Sequence, residues 1–222
     1  MNHNVNKLSI FVLILLYVPS LFLGLFDLDE GAFASTSLQM IKENQFVIPM
    51  IGDELRLEKP ILTYWIQAAS IMFWGANEFA LRLPSVIASF FWALSFSKFV
   101  KRHDKNTSSA EIFLNLLTLP GVFIISFAAT ADAFLNLFIT LLMIEVYEYA
   151  KNQKDIYLIK AAFFVALGFL VKGLTIIAIG GMVALIFFLY QRKFMLFLKI
   201  IFNTKAWITF LIVVAQWFLL LA

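Results

Sequence analysis

The stretch LSIFVLILLYVPSLFLGLF, Leu8–Phe26, followed at once by Asp27-Leu28-Asp29-Glu30, decides the class of fold. Its nineteen residues carry no charge and are long enough for one membrane span. The same arrangement recurs along the chain. Glu58-Lys59-Pro60 precedes the next clear spanning run. Asp132 interrupts more than thirty mostly apolar residues, and Lys172-Gly173 splits another apolar run. Ionisable groups at membrane depth are costly, so each of these breaks marks a candidate functional position.

Composition agrees. Hydrophobic residues make up 62% of the chain and charged residues 14%, with 26 phenylalanines. Soluble domains carry about 25% charged residues. Long continuous apolar runs exclude a β-barrel, whose strands alternate with period two. The expected fold is therefore an all-α integral membrane protein, a multi-span helical bundle forming a single transmembrane domain over 1–222. With no cysteine there is no disulfide, thiolate nucleophile or thiolate metal site. No internal repeat and no nucleic-acid-binding pattern is present.

Seven spans are expected, at about 8–26, 83–100, 109–128, 133–150, 156–171, 174–190 and 206–222. A signal peptide at the first run is disfavoured, since further spans follow and no small-residue cleavage site appears. The apolar segment 60–74 is too short to cross and is read as a surface helix. That choice leaves twelve of the seventeen basic residues on one side, Lys7 among them, and five on the other. The positive-inside rule then puts the N-terminus inside and the loop 27–82 outside.

The outer loop has its own pattern. Asp29 is placed to cap a helix from Glu30. Phe33, Ala34, Ser37, Leu38, Met40 and Ile41 share one face of it, which reads as an amphipathic surface helix. Residues 46–58 read as extended with a turn at Gly52-Asp53, and Pro60 begins a second surface helix. On the inner side, 192–202 reads as a basic interfacial helix. Gly180-Gly181, inside an apolar run, reads as helix packing.

The outer side gathers carboxylates (Asp29, Glu30, Glu58, Asp132) and cations (Arg56, Lys59, Arg82, Lys172). This pairing suits transfer from a phosphate-activated donor: cations hold the leaving phosphate while a carboxylate takes the acceptor's proton. A donor reached from the bilayer, where no cytosolic nucleotide is at hand, is a lipid phosphate. Simpler readings stand beside this one. Asp29 serves as a helix cap, Glu58-Lys59 as a solvated pair, Arg82 as a snorkelling anchor, and Tyr64, Trp65 and Trp74 as an aromatic belt.

The segments Asp29-Glu30-Gly31-Ala32-Phe33-Ala34, Arg56-Leu57-Glu58-Lys59-Pro60-Ile61-Leu62-Thr63-Tyr64-Trp65 and Asn77-Glu78-Phe79-Ala80-Leu81-Arg82-Leu83-Pro84 occur in that order. Asp132 in Ala129–Leu135 and Lys172-Gly173 in Phe169–Leu174 follow. The ordered set, from about Asp27 to Gly173, resembles the multi-spanning C-type glycosyltransferases, in particular the lipid A aminoarabinose transferases and protein O-mannosyltransferases. Ala32 stands where the aminoarabinose enzymes carry an arginine, and Leu174 where a proline is common.

The resemblance implies a catalytic set of Asp29, Glu30 and Asp132, with Asp29 as the base or acceptor-orienting carboxylate. It implies donor-phosphate binding by Lys59, Lys172 and Arg56, and a site shaped by Glu58, Tyr64 and Arg82. The cofactor is left open, with a divalent cation at Glu58 and Asp132 as the candidate. The implied partners are a polyprenyl-phosphate sugar, a lipid, glycan or protein acceptor and membrane lipids, at the outer face of a bacterial inner membrane. The chain ends inside an apolar run, so a C-terminal part of the family fold is expected to be missing. Two other readings are a transporter or flippase for a lipid-linked sugar, and an inactive fragment or assembly subunit.

Overall fold

The computed structural model describes residues 3–26 and 28–221, with side chains from residue 10 onward. Asp27, Ala222 and the side chains of His3 and Lys7 lie outside the described residues. Among the described residues the regular elements are helices and one small hairpin: α1 His3–Ser20, α2 Leu28–Glu43, β1 Met50–Ile51, β2 Glu54–Leu55, α3 Leu62–Trp74, α4 Glu78–His103, α5 Ser109–Thr118, α6 Pro120–Phe127, α7 Asp132–Asn152, α8 Asp155–Lys172, α9 Thr175–Tyr190, α10 Phe194–Ile201 and α11 Thr204–Leu221. A helix, or a broken pair of helices, stands at each of the seven expected spans. Among the described residues, α4, α7 and α11 are long and apolar enough to cross a membrane. The α5–α6 pair makes a fourth if taken as one span. Large apolar side chains such as Phe11, Leu211, Ile212 and Leu219 stay exposed, as a lipid-facing surface requires.

Two compact units divide the chain, and α7 passes from one to the other. Residues 1–57 and 63–137 form the first; 58–62 and 138–222 form the second.

In the first unit α4 packs on α5 and α6, and α1 on α5. Tyr17 lies at the centre of the resulting core. Its ring meets Phe90 and Phe123 edge-on, with centroids 5.5 and 5.2 Å away, and its hydroxyl donates to the Leu117 carbonyl at 3.0 Å. The expected span 109–128 is broken by 74° between α5 and α6. Pro120 explains the break: it lacks the N–H for the Leu116 carbonyl and pushes Leu119 out of the helical region, to φ −62°, ψ 128°.

The α4 helix starts at Asn77, whose side chain accepts from the Ala80 N–H at 2.9 Å. Pro84, inside this helix, leaves the Ala80 carbonyl without its usual partner. The Ser70 hydroxyl of α3 fills that vacancy at 2.6 Å, which fixes α3 against the start of α4. At thirteen residues, α3 is about 20 Å long and too short to cross, as expected, although it begins at Leu62 rather than Pro60.

The loop between α1 and α3 is more built than its sequence suggests. Residues 50–55 form an antiparallel hairpin with Met50 opposite Leu55. Gly52 at φ 59° takes the first turn position, followed by Asp53, the pattern of a type II′ turn. Gln39 of α2 clamps the turn, accepting from Gly52 N–H at 2.9 Å and donating to its carbonyl at 2.8 Å. The α2 helix is amphipathic, but it packs on protein. Phe33, Ala34, Ser37 and Met40 are buried together with Glu30 and Thr36, while Leu38 is exposed. The expected cap at Asp29 shifts too: the helix begins at Leu28, so Asp29 and Glu30 sit in its first turn, at the positive end of the helix dipole.

In the second unit α8 packs on α11 and α9, and α9 on α10. Glycine sets two close approaches. A Cβ on Gly168 would strike the Ile176 Cδ1, and one on Gly180 would lie 2.6 Å from the Leu142 Cδ2. Ile176, Gly180, Ala184 and Phe188 form one buried ridge at four-residue spacing. The basic stretch 192–202 does form a short helix, α10, with no buried residue.

Candidate functional site

In the first unit the site is organised by Glu30. Its side chain is fully buried, and each carboxylate oxygen is engaged. One accepts from the Ala129 backbone N–H at 2.7 Å. The other accepts from Phe26 N–H at 3.1 Å and from the Arg82 guanidinium at 3.0 Å. Arg82 is equally buried and donates onward to the carbonyls of Ser20 at 2.7 Å and Gly24 at 2.9 Å. Phe26 and Phe127 flank its guanidinium, with centroids 5.6 and 5.5 Å away. Arg82 is therefore no snorkelling anchor. Five carbonyl, carboxylate and ring partners keep a charge inside that water would otherwise claim. The pair ties together the end of α1, the start of α2, α4 and the segment 128–131.

That segment leads directly into Asp132, the first residue of α7. A second polar link holds it: Gln67 of α3 donates to the Ala129 carbonyl at 2.9 Å and accepts from the Ser37 hydroxyl at 3.1 Å. Asp132 is half-buried, and its carboxylate and backbone N–H both face the Thr130 hydroxyl at 3.5 Å. It sits at the N-terminus of α7, where a negative charge is favoured. Gln67 and Ser37 are positioning residues that the sequence reading missed. The available signal was one amide inside an otherwise apolar α3.

Asp29 differs from Glu30. Its carboxylate is 42% exposed and lies 3.6 Å from the Arg56 guanidinium. Arg56 in turn stacks over Phe33 at 5.5 Å, and Phe33 packs on the fully buried Tyr64 with centroids 5.2 Å apart. Tyr64 thus belongs to the core beneath α2 and not to an aromatic belt. Trp65 is also tied inward, its indole N–H donating to the Phe46 carbonyl at 2.6 Å. Trp74, 59% exposed, keeps the exposure of a belt residue. Arg56 faces the Asp29 carboxylate.

The second unit holds those lysines. Residues 58–62 belong to it, as does Lys172 at the end of α8. Gly173 ends that helix at φ 60°, ψ −136°, a conformation open to glycine and strained for other residues. A Cβ on Gly173 would lie 3.9 Å from the Pro60 Cγ, so the Glu58-Lys59-Pro60 turn and the Lys172-Gly173 turn are neighbours. Glu58 is exposed, and Lys59 and Lys172 are half-buried. Among the described residues no three Asp, Glu or His side chains gather as a metal site. Glu58 and Asp132 fall in different units.

Relatives and solved structures share this arrangement of chain. An undecaprenyl phosphate-alpha-4-amino-4-deoxy-L-arabinose arabinosyl transferase of Wigglesworthia glossinidia brevipalpis is 31% identical over 186 residues, covering 78% of this chain and 33% of the relative. A protein of the same description from Proteus mirabilis is 28% identical, covering 83% of this chain and 35% of the relative. The chain thus spans about a third of the length of the curated relatives it matches. The crystal structure of ArnT from Cupriavidus metallidurans bound to undecaprenyl phosphate superposes with a TM-score of 0.87 at 19% identity, over 99% of this chain and 42% of that one. The apo structure gives 0.85. These likenesses fix the fold as that of a multi-pass helical membrane protein. Residues 58–219 match the family model described as dolichyl-phosphate-mannose-protein mannosyltransferase, and the chain belongs to that family.

Proposed function

We propose that this protein is a membrane glycosyltransferase that moves a sugar from a polyprenyl-phosphate donor to a lipid, glycan or protein acceptor at the outer face of a bacterial inner membrane. The observation that carries the reading is the meeting of the Lys59 and Lys172 turns beside Gly173 and Pro60. Two cations on adjoining turns suit a lipid phosphate, and their charge stabilises that phosphate as it leaves the sugar. The names of the relatives support a polyprenyl-phosphate sugar as donor.

Asp29 is the carboxylate that accepts the acceptor's proton. It is the exposed member of the acidic pair, open to an incoming hydroxyl, with Arg56 orienting it. Glu30 has both oxygens occupied by Arg82 and two backbone N–H groups, which suits a positioning task. Asp132, held at the start of α7, helps to shape the acceptor side. In the transfer the sugar–phosphate C–O bond breaks, the acceptor oxygen bonds to the anomeric carbon, and its proton passes to Asp29.

The test is sugar transfer from a polyprenyl-phosphate sugar by the purified full-length protein, read by mass spectrometry of the acceptor. Asp29→Asn keeps the shape and should leave insertion and folding intact while cutting turnover about 10²-fold or more. Near-normal transfer by that variant would remove Asp29 from the chemistry.

A further inference from the structure

The second unit contains a cavity walled by α7, α8, α9, α10 and α11, which runs from Leu158 near the start of α8 to Ile176 at the start of α9. Its volume is about 330 Å³, and its walls are apolar, including Leu142, Leu158, Ala162, Gly181, Phe197 and Phe210. Water gains little there, because almost no polar surface is offered to it. Apolar cavities of about 150 Å³ stay dry and accept hydrocarbon ligands. The adjoining glycines of α9 show that the space is built. Gly180 is demanded by packing, since its Cβ would strike Leu142. A Cβ on Gly181 would meet nothing within 4 Å, so here the small residue leaves room.

Basic residues flank the helix α10 that lines the cavity. Phe197 and Ile200 of α10 line it, while Lys199 on the same helix is exposed. Arg192 and Lys193 precede α10 and Lys205 follows it, the first two fully solvent-facing. Lys205 binds Asp155 at 2.6 Å, which sets the start of α11 beside the start of α8. Lys172 is at the other end of that helix, about 26 Å away. An amphipathic helix with a basic rim over an apolar cavity has the chemistry of a lipid contact: hydrocarbon inside, anion outside.

We propose that this cavity is a binding site for an anionic phospholipid, with one acyl chain against Gly181 and the head group on Arg192, Lys193 and Lys199. The head-group residues flank α10, which leads into Lys205 beside the start of α8, at the other end of that helix from Lys172. The charge complementarity singles out an anionic lipid over a zwitterionic one.

The test is lipid retention by the full-length protein, measured by native mass spectrometry with phosphatidylglycerol and phosphatidylcholine offered together. The expected result is a preference for phosphatidylglycerol of about tenfold or more. Gly181→Leu, which fills open space, should abolish retention of the bound lipid. The surface variant Lys193→Glu/Lys199→Glu should abolish the preference, and it carries the test if Gly181→Leu does not fold. Neither variant should alter undecaprenyl phosphate binding. Equal retention of the two lipids by the wild type, or wild-type retention by the variants, would overturn the proposal. So would displacement of phosphatidylglycerol by undecaprenyl phosphate. A photo-crosslinker at Phe197 that captures protein instead of lipid would also overturn it, by showing that a segment of chain fills the cavity.

Discussion

Glu30 and Arg82 meet at 3.0 Å with neither side chain exposed, across fifty-two residues of sequence. A buried ion pair is not by itself a source of stability, because taking two charges out of water costs what their attraction returns. This pair does something more specific. It spans four segments of backbone, including the one that delivers Asp132, and so converts electrostatics into the placement of a carboxylate.

Removing one partner leaves the other charged and stranded. Glu30→Gln should destabilise the protein by about 3–5 kcal/mol, seen as a lower melting temperature in detergent. Arg82→Lys should cost nearly as much, because one ammonium cannot reach Glu30, Ser20 and Gly24 in the fork that guanidinium provides. The double variant Glu30→Gln/Arg82→Gln should lose less than the sum of its singles. Strict additivity would mean that the two side chains do not act as a unit.

The turn at Gly173 gives a second test. Its backbone conformation penalises any Cβ by about 1–3 kcal/mol. Gly173→Ala should weaken donor binding by shifting Lys172 away from the Lys59 turn, while α8 stays helical. A Gly173→Ala protein with unchanged donor affinity would show that the turn does not set the position of the lysine.

Much of this arrangement was legible in the sequence because it is local. Apolar run lengths gave the positions of the long helices, the Gly52-Asp53 pair gave the hairpin turn, and short α3 was readable from its length alone. The order of motifs gave the family. What stayed hidden depends on contacts between distant segments. Nothing in Glu30 announces that Ala129 and Arg82 converge on it. Arg82 read as an anchor because a lone arginine near a helix start ordinarily reaches for water. Nothing in Arg56 announces its approach to Asp29 across the hairpin. Only the bend at Pro120 could have been called from local rules and was not.

Topology is accessible to chemistry because the chain has no cysteine. Ser35→Cys and Asp53→Cys are exposed in α2 and at the hairpin tip, and should react with an impermeant thiol reagent added outside intact cells. Asn106→Cys, in the exposed loop after α4, should react only after permeabilisation. Labelling of Asn106→Cys from outside would reverse the assigned sidedness.

The central claim is that Lys59 and Lys172 jointly hold the phosphate of a polyprenyl donor. The most direct measurement is undecaprenyl phosphate affinity in the full-length protein for wild type, Lys59→Ala, Lys172→Ala and the pair. Each single change should remove a charge-assisted contact worth about 1.5–3 kcal/mol, or roughly ten- to a hundredfold in affinity. The double variant should bind too weakly to measure while still inserting into the membrane. Wild-type affinity in the double variant would contradict the account.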